Sequence, residues 1–166
     1  VAIEFTIPAV AGTNMMRCLK AGIPVVSGTT GCEEQIEAAK EFISSSGGAM
    51  VHASNFSIGV NILFEINRNL AKIMEQHPEY QAELKEIHHT QKLDAPSGTA
   101  KTLANDILHH IMRYENWNEH GKHRQGKELP VASKREGEVT GIHEITWLSE
   151  VDKITLNHEA FNRNGF

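Results

Sequence analysis

Residues 86–100 read Glu86-Ile87-His88-His89-Thr90-Gln91-Lys92-Leu93-Asp94-Ala95-Pro96-Ser97-Gly98-Thr99-Ala100, and they gather groups able to do chemistry. A strand end carries two imidazoles, a short loop carries the Lys92 ammonium, and Pro96-Ser97 opens a helix. The first amides of a helix have no partner within it, and its dipole favours negative charge there. The Gly98 and Thr99 N–H groups are therefore placed to hold an anion. Gly98 has no side chain to obstruct the approach. A small acid held by its carboxylate would lie close to His88, His89 and Lys92, which supply proton donors and charge stabilisers for reducing a polar double bond. Taken singly, the pieces have plainer readings. Adjacent strand residues face opposite ways, so His88 and His89 cannot chelate one metal through both rings, and either can be a hydrogen-bonded structural histidine. A loop lysine is commonly a solvated charge, and Pro-Ser-Gly-Thr is by itself an ordinary helix start. Their contiguity carries the inference.

The elements that must position these groups show in the patterning. Tyr80 to His88 alternates as a strand, and a helix from about Ser97 to Met112 should bury Leu103, Ala104, Ile107, Leu108 and Ile111. A long helix from Ile58 to His77 precedes them, with Ile62, Leu63, Ile66, Leu70, Ile73 and Met74 at helical spacing. Residues 113 to 130 are polar and aperiodic and read as a long loop. Strands follow near Val131–Lys134, Ile142–Leu148 and Lys153–His158, and the short connection after Leu148 predicts antiparallel pairing. Paired His109-His110 falls on the solvated side of its helix. His120-Gly121-Lys122-His123 has no carboxylate or cysteine beside it to complete a metal site.

Ahead of residue 57 the character differs. Val1–Phe5 is expected as a strand, Pro8 to about Ala21 as a helix stopped by Gly22, and Ile23–Ser27 as a strand. A helix over Glu33–Ser45, with Ile36, Ala39 and Phe42 on one face, and a strand over Ala49–Ala53 complete the run. This alternation predicts a parallel sheet covered by helices. Gly28-Thr29-Thr30-Gly31 and Ala53-Ser54-Asn55-Phe56 then fall at the carboxyl edge of that sheet, where such folds bind ligands. Alone, the first is a plain turn and the second a connecting segment with a core aromatic.

Composition sets bounds. Apolar residues make up 40% and charged residues 22%, as in an ordinary globular chain. The formal net charge of −5 argues against a phosphate-tracking surface, so no nucleic-acid partner is expected. There is no run of about 18 apolar residues and no signal-peptide pattern, which points to a cytoplasmic protein without a membrane partner. Cys18 and Cys32 form neither a disulfide framework nor a thiolate metal pattern, and no metal is expected. Val1 opens inside an apolar run and the chain stops after Asn162-Arg163-Asn164-Gly165, so both ends read as cut through structure.

His88-His89, Lys92 and Asp94-Ala95-Pro96-Ser97-Gly98-Thr99-Ala100 resemble the signature of the dihydrodipicolinate reductases. Phe5-Thr6 followed by Pro8, Gly28-Thr29-Thr30-Gly31 and Ser54-Asn55-Phe56-Ser57-Ile58-Gly59-Val60-Asn61 agree with it in order, so the resemblance covers nearly the whole chain. It implies NADH- or NADPH-dependent reduction of a cyclic unsaturated dicarboxylate, 4-hydroxy-tetrahydrodipicolinate, to tetrahydrodipicolinate in lysine and diaminopimelate synthesis. It implies His88 as the catalytic histidine, Lys92 as proton donor, and His89, Gly98 and Thr99 as substrate contacts. It places the cofactor on Gly28, Thr29 and Thr30, on Ala53, Ser54, Asn55 and Phe56, and on Arg163. It also implies a homotetramer. The family's glycine-rich phosphate loop is expected upstream of Val1.

The fold class is α/β: an incomplete Rossmann-type nucleotide-binding domain over 1–56, rejoined about 163–166, plus an α+β substrate and oligomerisation domain with a mixed sheet over 57–162. Other Rossmann-type reductases, such as aspartate-semialdehyde or homoserine dehydrogenases, would need a Cys or Lys-Asp constellation that is not found. A reading from another class is a truncated, catalytically incompetent fragment acting only as a binding or assembly module.

Overall fold

A computed structural model describes residues 1–119 and 127–165, so His120-Gly121-Lys122-His123 lies outside the described residues. The chain divides into two compact units, Val1–Phe56 and Ser57–Phe166. In the first, β1 (Ala2–Glu4), α1 (Pro8–Lys20), β2 (Val25–Ser27), α2 (Glu33–Ser46) and β3 (Met50–His52) alternate as expected. The strands pair in parallel in the order β1-β2-β3. Pro8 fits the first turn of α1, where its missing N–H costs nothing, and Gly22 takes the left-handed conformation just past the helix. Ala11, Met15 and Leu19 of α1 close with Val25, Cys32, Ile36 and Ala39 into one apolar cluster. Ile3 and Val51 stay 75% and 56% exposed, so within this unit the helices cover one face of the sheet.

The second unit opens with α3 (Ile58–Met74) and β4 (Gln81–His88), followed by α4 (Gly98–His110) and β5 (Asn116–Asn118). Strands β6 (Glu128–Arg135), β7 (Gly141–Leu148) and β8 (Lys153–Ala160) complete it. The sheet order is β5-β6-β4-β7-β8. β5, β6 and β4 run parallel, whereas β7 and β8 join antiparallel, so the sheet is mixed as expected. The long loop expected over 113–130 is interrupted: Asn116–Asn118 forms β5 and β6 already begins at Glu128. That three-residue strand has no periodicity of its own and exists through its ladder to β6.

Ser57 and Ser97 cap α3 and α4, each hydroxyl accepting from the amide three residues on. The stripe that α3 buries is Val60, Leu63, Phe64, Asn67, Ala71 and Met74. Ile62, Ile66 and Ile73, which share the helical spacing, are about half exposed at 54%, 45% and 58%. Asn67 explains part of the choice, because its side-chain amide donates to the Leu103 carbonyl (3.0 Å) and fixes which face of α3 meets α4. On α4 the expected Leu103, Ala104, Ile107 and Ile111 are fully buried and Leu108 is half-buried. Of the paired histidines, His109 is exposed and His110 half-buried.

Candidate active site

Register across the second sheet explains how the site is placed. Side chains of one sheet face recur every second residue, and three successive rungs of one face change in character. The first, Val131–Leu84–Ile145–Leu156, is apolar. The next, Ser133–Glu86–His143–His158, is polar throughout. The last sets His88 beside Arg135 on β6 and opposite Gly141, where β4 ends. Core, hub and site thus follow one another along the strands.

Glu86 is the centre of the hub and fully buried. Its carboxylate accepts from the Ser97 amide at 3.0 and 3.2 Å and from the Ser133 hydroxyl at 2.8 Å. His143 Nε2 and Arg135 lie 3.6 Å from it. Burial alone would raise its pKa, but the bonds from His143, Ser97 and Ser133 and the field of His88 prevail and hold it down at about 2. Glu86 is therefore charged under all ordinary conditions. Because the Ser97 amide is bound to it, the start of α4 is tied to β4 by an ionic hydrogen bond.

His88 ends β4, buried, with Nδ1 3.5 Å from Glu86 Oε2 and without a hydrogen-bond partner among the described residues. Its ring stands edge-on to His143, centroids 5.1 Å apart. Burial lowers its pKa to about 4; Glu86 pulls the other way, and His143, Lys92 and Arg135 add to the lowering. The ring is neutral at pH 7. A Cβ at Gly141 would stand 3.2 Å from His88 Nε2, so the missing side chain makes room for the ring.

The loop after β4 is held from two sides. Glu136 N donates to the His88 carbonyl at 2.8 Å and Thr90 N to the Gly137 carbonyl at 3.2 Å. Arg135 donates to the carbonyls of Lys92 and Asp94. His89, half-buried, begins the turn whose carbonyl receives the Lys92 amide, and Lys92 Nζ pairs with Asp94 at 2.7 Å. Gly98 and Thr99 open α4 directly behind the Ser97 cap. The structure thus collects His88, His89, Lys92, Gly98 and Thr99 on one end of the second unit.

Glu86, Ser133, Arg135, Gly141 and His143 were not picked out from the sequence. One signal was available: Ala82, Leu84, Glu86 and His88 share a phase, so an acid sits where the alternation calls for an apolar residue. The ligand atoms of Glu86, His88 and His143 all lie within 4.8 Å of one another, a spacing that a metal ion could bridge. The Ser97 amide already binds both carboxylate oxygens, however, and Arg135 brings a positive charge beside them. The cluster reads as a hydrogen-bonded hub.

In the first unit, the loops after β2 and β3 are stitched together at the carboxyl edge of the sheet. Ala53 N donates to the Ser27 carbonyl at 3.2 Å, and His52 Nε2 lies 3.0 Å from the Thr29 carbonyl. Gly28 donates to the Glu4 carbonyl at 3.0 Å, and a Cβ there would stand 2.2 Å from the Phe5 ring, so only glycine lets Phe5 lie across the loop. Phe5 in turn meets Phe56, centroids 5.7 Å apart. Thr29 is buried and Thr30 exposed; Ala53, Ser54, Asn55 and Phe56 are half-buried. Backbone and small side chains held at the carboxyl edge of a parallel sheet suit a dinucleotide. Arg163 is exposed and belongs to the second unit.

A parallel βαβαβ unit followed by a mixed-sheet unit with a histidine, a lysine and a helix start at one end defines a Rossmann-type oxidoreductase. Two family models account for these parts: "Dihydrodipicolinate reductase, N-terminus" matches residues 1–56, and "Dihydrodipicolinate reductase, C-terminus" matches residues 59–166. The chain belongs to the dihydrodipicolinate reductase family. It is 44% identical over 166 residues to a 4-hydroxy-tetrahydrodipicolinate reductase of Christiangramia forsetii, covering 100% of this chain and 69% of that protein. It is 37% identical over 170 residues to the protein of the same name from Methanopyrus kandleri, covering 100% of this chain and 62% of the relative. A solved structure, the dipicolinate-bound dihydrodipicolinate reductase of Paenisporosarcina sp. TG-14, is similar with a TM-score of 0.69 and 26% identity. That match covers 99% of this chain and 64% of the solved one. The chain thus spans roughly two thirds of the length of the relatives it matches. Among the described residues, no helix is long and apolar enough to cross a membrane.

Proposed function

We propose that the protein reduces 4-hydroxy-tetrahydrodipicolinate to tetrahydrodipicolinate, the reaction for which its curated relatives are named. The observation that carries this is the grouping of His88, Lys92 and the start of α4 at the end of β4. Overall, one hydride and one proton enter the substrate, and its hydroxyl leaves as water. NADH or NADPH, when bound, supplies the hydride. Gly28, Thr29 and Thr30 with Ala53–Phe56 would hold its nicotinamide side, and Arg163 would add a further contact.

The remaining roles fall to residues of the second unit, the substrate and oligomerisation domain over 57–162. One substrate carboxylate would bind the first amides of α4, with His89 beside the ring. Lys92, held by Asp94, would deliver the proton from Nζ. His88 is neutral at working pH, so it would take part as an imidazole whose unprotonated nitrogen can accept a hydrogen bond, rather than as an imidazolium. A homotetramer in the cytoplasm completes the reading; light scattering of the purified protein tests the assembly.

Pyridine-2,6-dicarboxylate, the planar ligand named for the relative's structure, tests the anion cradle. It should bind about 10- to 100-fold more tightly than pyridine-2-carboxylate, as one further charge-assisted contact allows. Gly98→Pro, which fits the first helical position but removes one amide, should erase most of that difference. Gly98→Ala keeps the amide and separates the lost donor from added bulk. Equal calorimetric affinities for the two acids would exclude the cradle.

A further inference from the structure

The hub behind the site touches no substrate in the reading above, yet it binds the two elements that the chemistry depends on. One Glu86 carboxylate meets the end of β4 at His88 and the start of α4 at Ser97, and it is braced from β6 by Ser133 and from β7 by His143. We infer that Glu86 is a positioning residue: it sets which nitrogen of His88 carries the proton and fixes the start of α4 relative to that ring. The catalytic consequence rests on the reductase reading; the structural content does not.

The physical argument is short. A neutral imidazole carries one proton, on Nδ1 or Nε2, and the environment of each nitrogen decides where. Among the described residues His88 Nδ1 has no hydrogen-bond partner, and it lies 3.5 Å from an ionised carboxylate oxygen in a buried setting. Solvent does not screen that charge, so the proton is stabilised on Nδ1. Nε2, beside Gly141, keeps the lone pair. The other charged or titratable groups facing this ring are His143 from β7, Lys92 from the loop and Arg135 from β6. Lys92 and Arg135 are donors only, and neither can accept the ring proton. Glu86 is the single acceptor of full charge among them. Its other oxygen stays engaged by Ser133, so the carboxylate has little freedom to rotate away.

The test uses Glu86→Gln and Glu86→Asp with two independent readouts. Long-range ¹⁵N–¹H spectra of the imidazoles, with His88 assigned by its loss in His88→Asn, report the tautomer without any turnover. In Glu86→Gln the amide can donate to Nδ1, so His88 should switch to the Nε2–H form. Its kcat should fall about 10- to 100-fold, less than the roughly 10²–10⁴-fold loss of an acid–base group itself because the ring stays in place, with KM for the dicarboxylate changed less than about threefold. Glu86→Asp, which keeps the charge but withdraws it by one methylene, should fall between wild type and Gln on both readouts. An unchanged His88 tautomer in Glu86→Gln, or a kcat within about twofold of wild type, would overturn the proposal. Should the Gln variant not fold, Glu86→Asp decides by the same two readings. A wild-type protein without turnover would sink the reductase reading, while the spectra would still judge Glu86.

Discussion

Each unit buries one glutamate at an end of its sheet, and in each a serine hydroxyl reaches it across a parallel ladder. Glu4 is paired in register with Ser27, and Glu86 with Ser133. Both carboxyls are held at about 2, because hydrogen bonds overcome a burial effect that would raise them. Their remaining partners differ in kind. Glu4 turns to its own chain, accepting from the Thr6 amide at 2.9 Å and from the Thr6 hydroxyl two residues on. Glu86 reaches a helix start, two imidazoles and an arginine drawn from three other places in the sequence. The comparison teaches that hydroxyls and amides suffice to bury a carboxylate. Adding groups that titrate turns the same device into part of a site.

The largest expected effect lies on the Glu86 side. His88→Ala and Lys92→Ala should each lower turnover about 10²–10⁴-fold, with dicarboxylate binding altered much less. Near-normal turnover with weakened binding in both would remove them from the chemistry.

Next comes stability. Glu86→Leu strands the Ser97 amide and His143 in the interior and takes the acceptor from the more exposed Ser133 hydroxyl, and should cost about 3–5 kcal/mol in urea unfolding. Glu4→Leu strands one buried hydroxyl, that of Ser27, while its Thr6 partners are exposed and no titrating group is left behind, and it should cost about 1–3 kcal/mol. Equal losses would erase the distinction drawn above.

Acid should separate the groups by window. His88 falls from 6.5 to about 4 on folding, so the unfolded chain takes up a proton first and stability drops as pH falls from 6.5 towards 4. Glu4 and Glu86 fall from 4.5 to about 2, so their contribution is present above pH 4.5 and is lost towards pH 2. Chemical denaturation at stepped pH should show that His88→Asn flattens the upper window and leaves the lower one in place.

The smallest effect is expected at Gly28. A methyl group would enter the Phe5 ring, but that ring is 56% exposed and can swing away, so Gly28→Ala should cost only about 1 kcal/mol. Phe5→Leu in the same chain should recover part of it, as read by thermal unfolding.

Much of this architecture was legible before any coordinates. The strand–helix alternation of the first 53 residues, the capped start of α4 and the antiparallel β7–β8 pair rest on local period, turn residues and short connections, all written in neighbouring positions. The contiguous His88–Thr99 stretch was legible for the same reason, since one strand end, one loop and one helix start bring its groups together. What the local pattern left open was the buried face of α3. Isoleucines 62, 66 and 73 have the period of a core stripe, but Asn67 bonded to Leu103 turns a different stripe inward. Strand β5 was missed because three residues carry no period.

The sequence by itself determined the elements, the family resemblance and the residues nearest the chemistry, because helix starts, strand alternation and a contiguous motif depend on residues a few positions apart. Only the tertiary structure decided that Ser133, Glu86, His143 and His158 form one polar rung. Which residue lies opposite which is set by strand order and register, and a slip of one residue would send every one of those side chains to the other face.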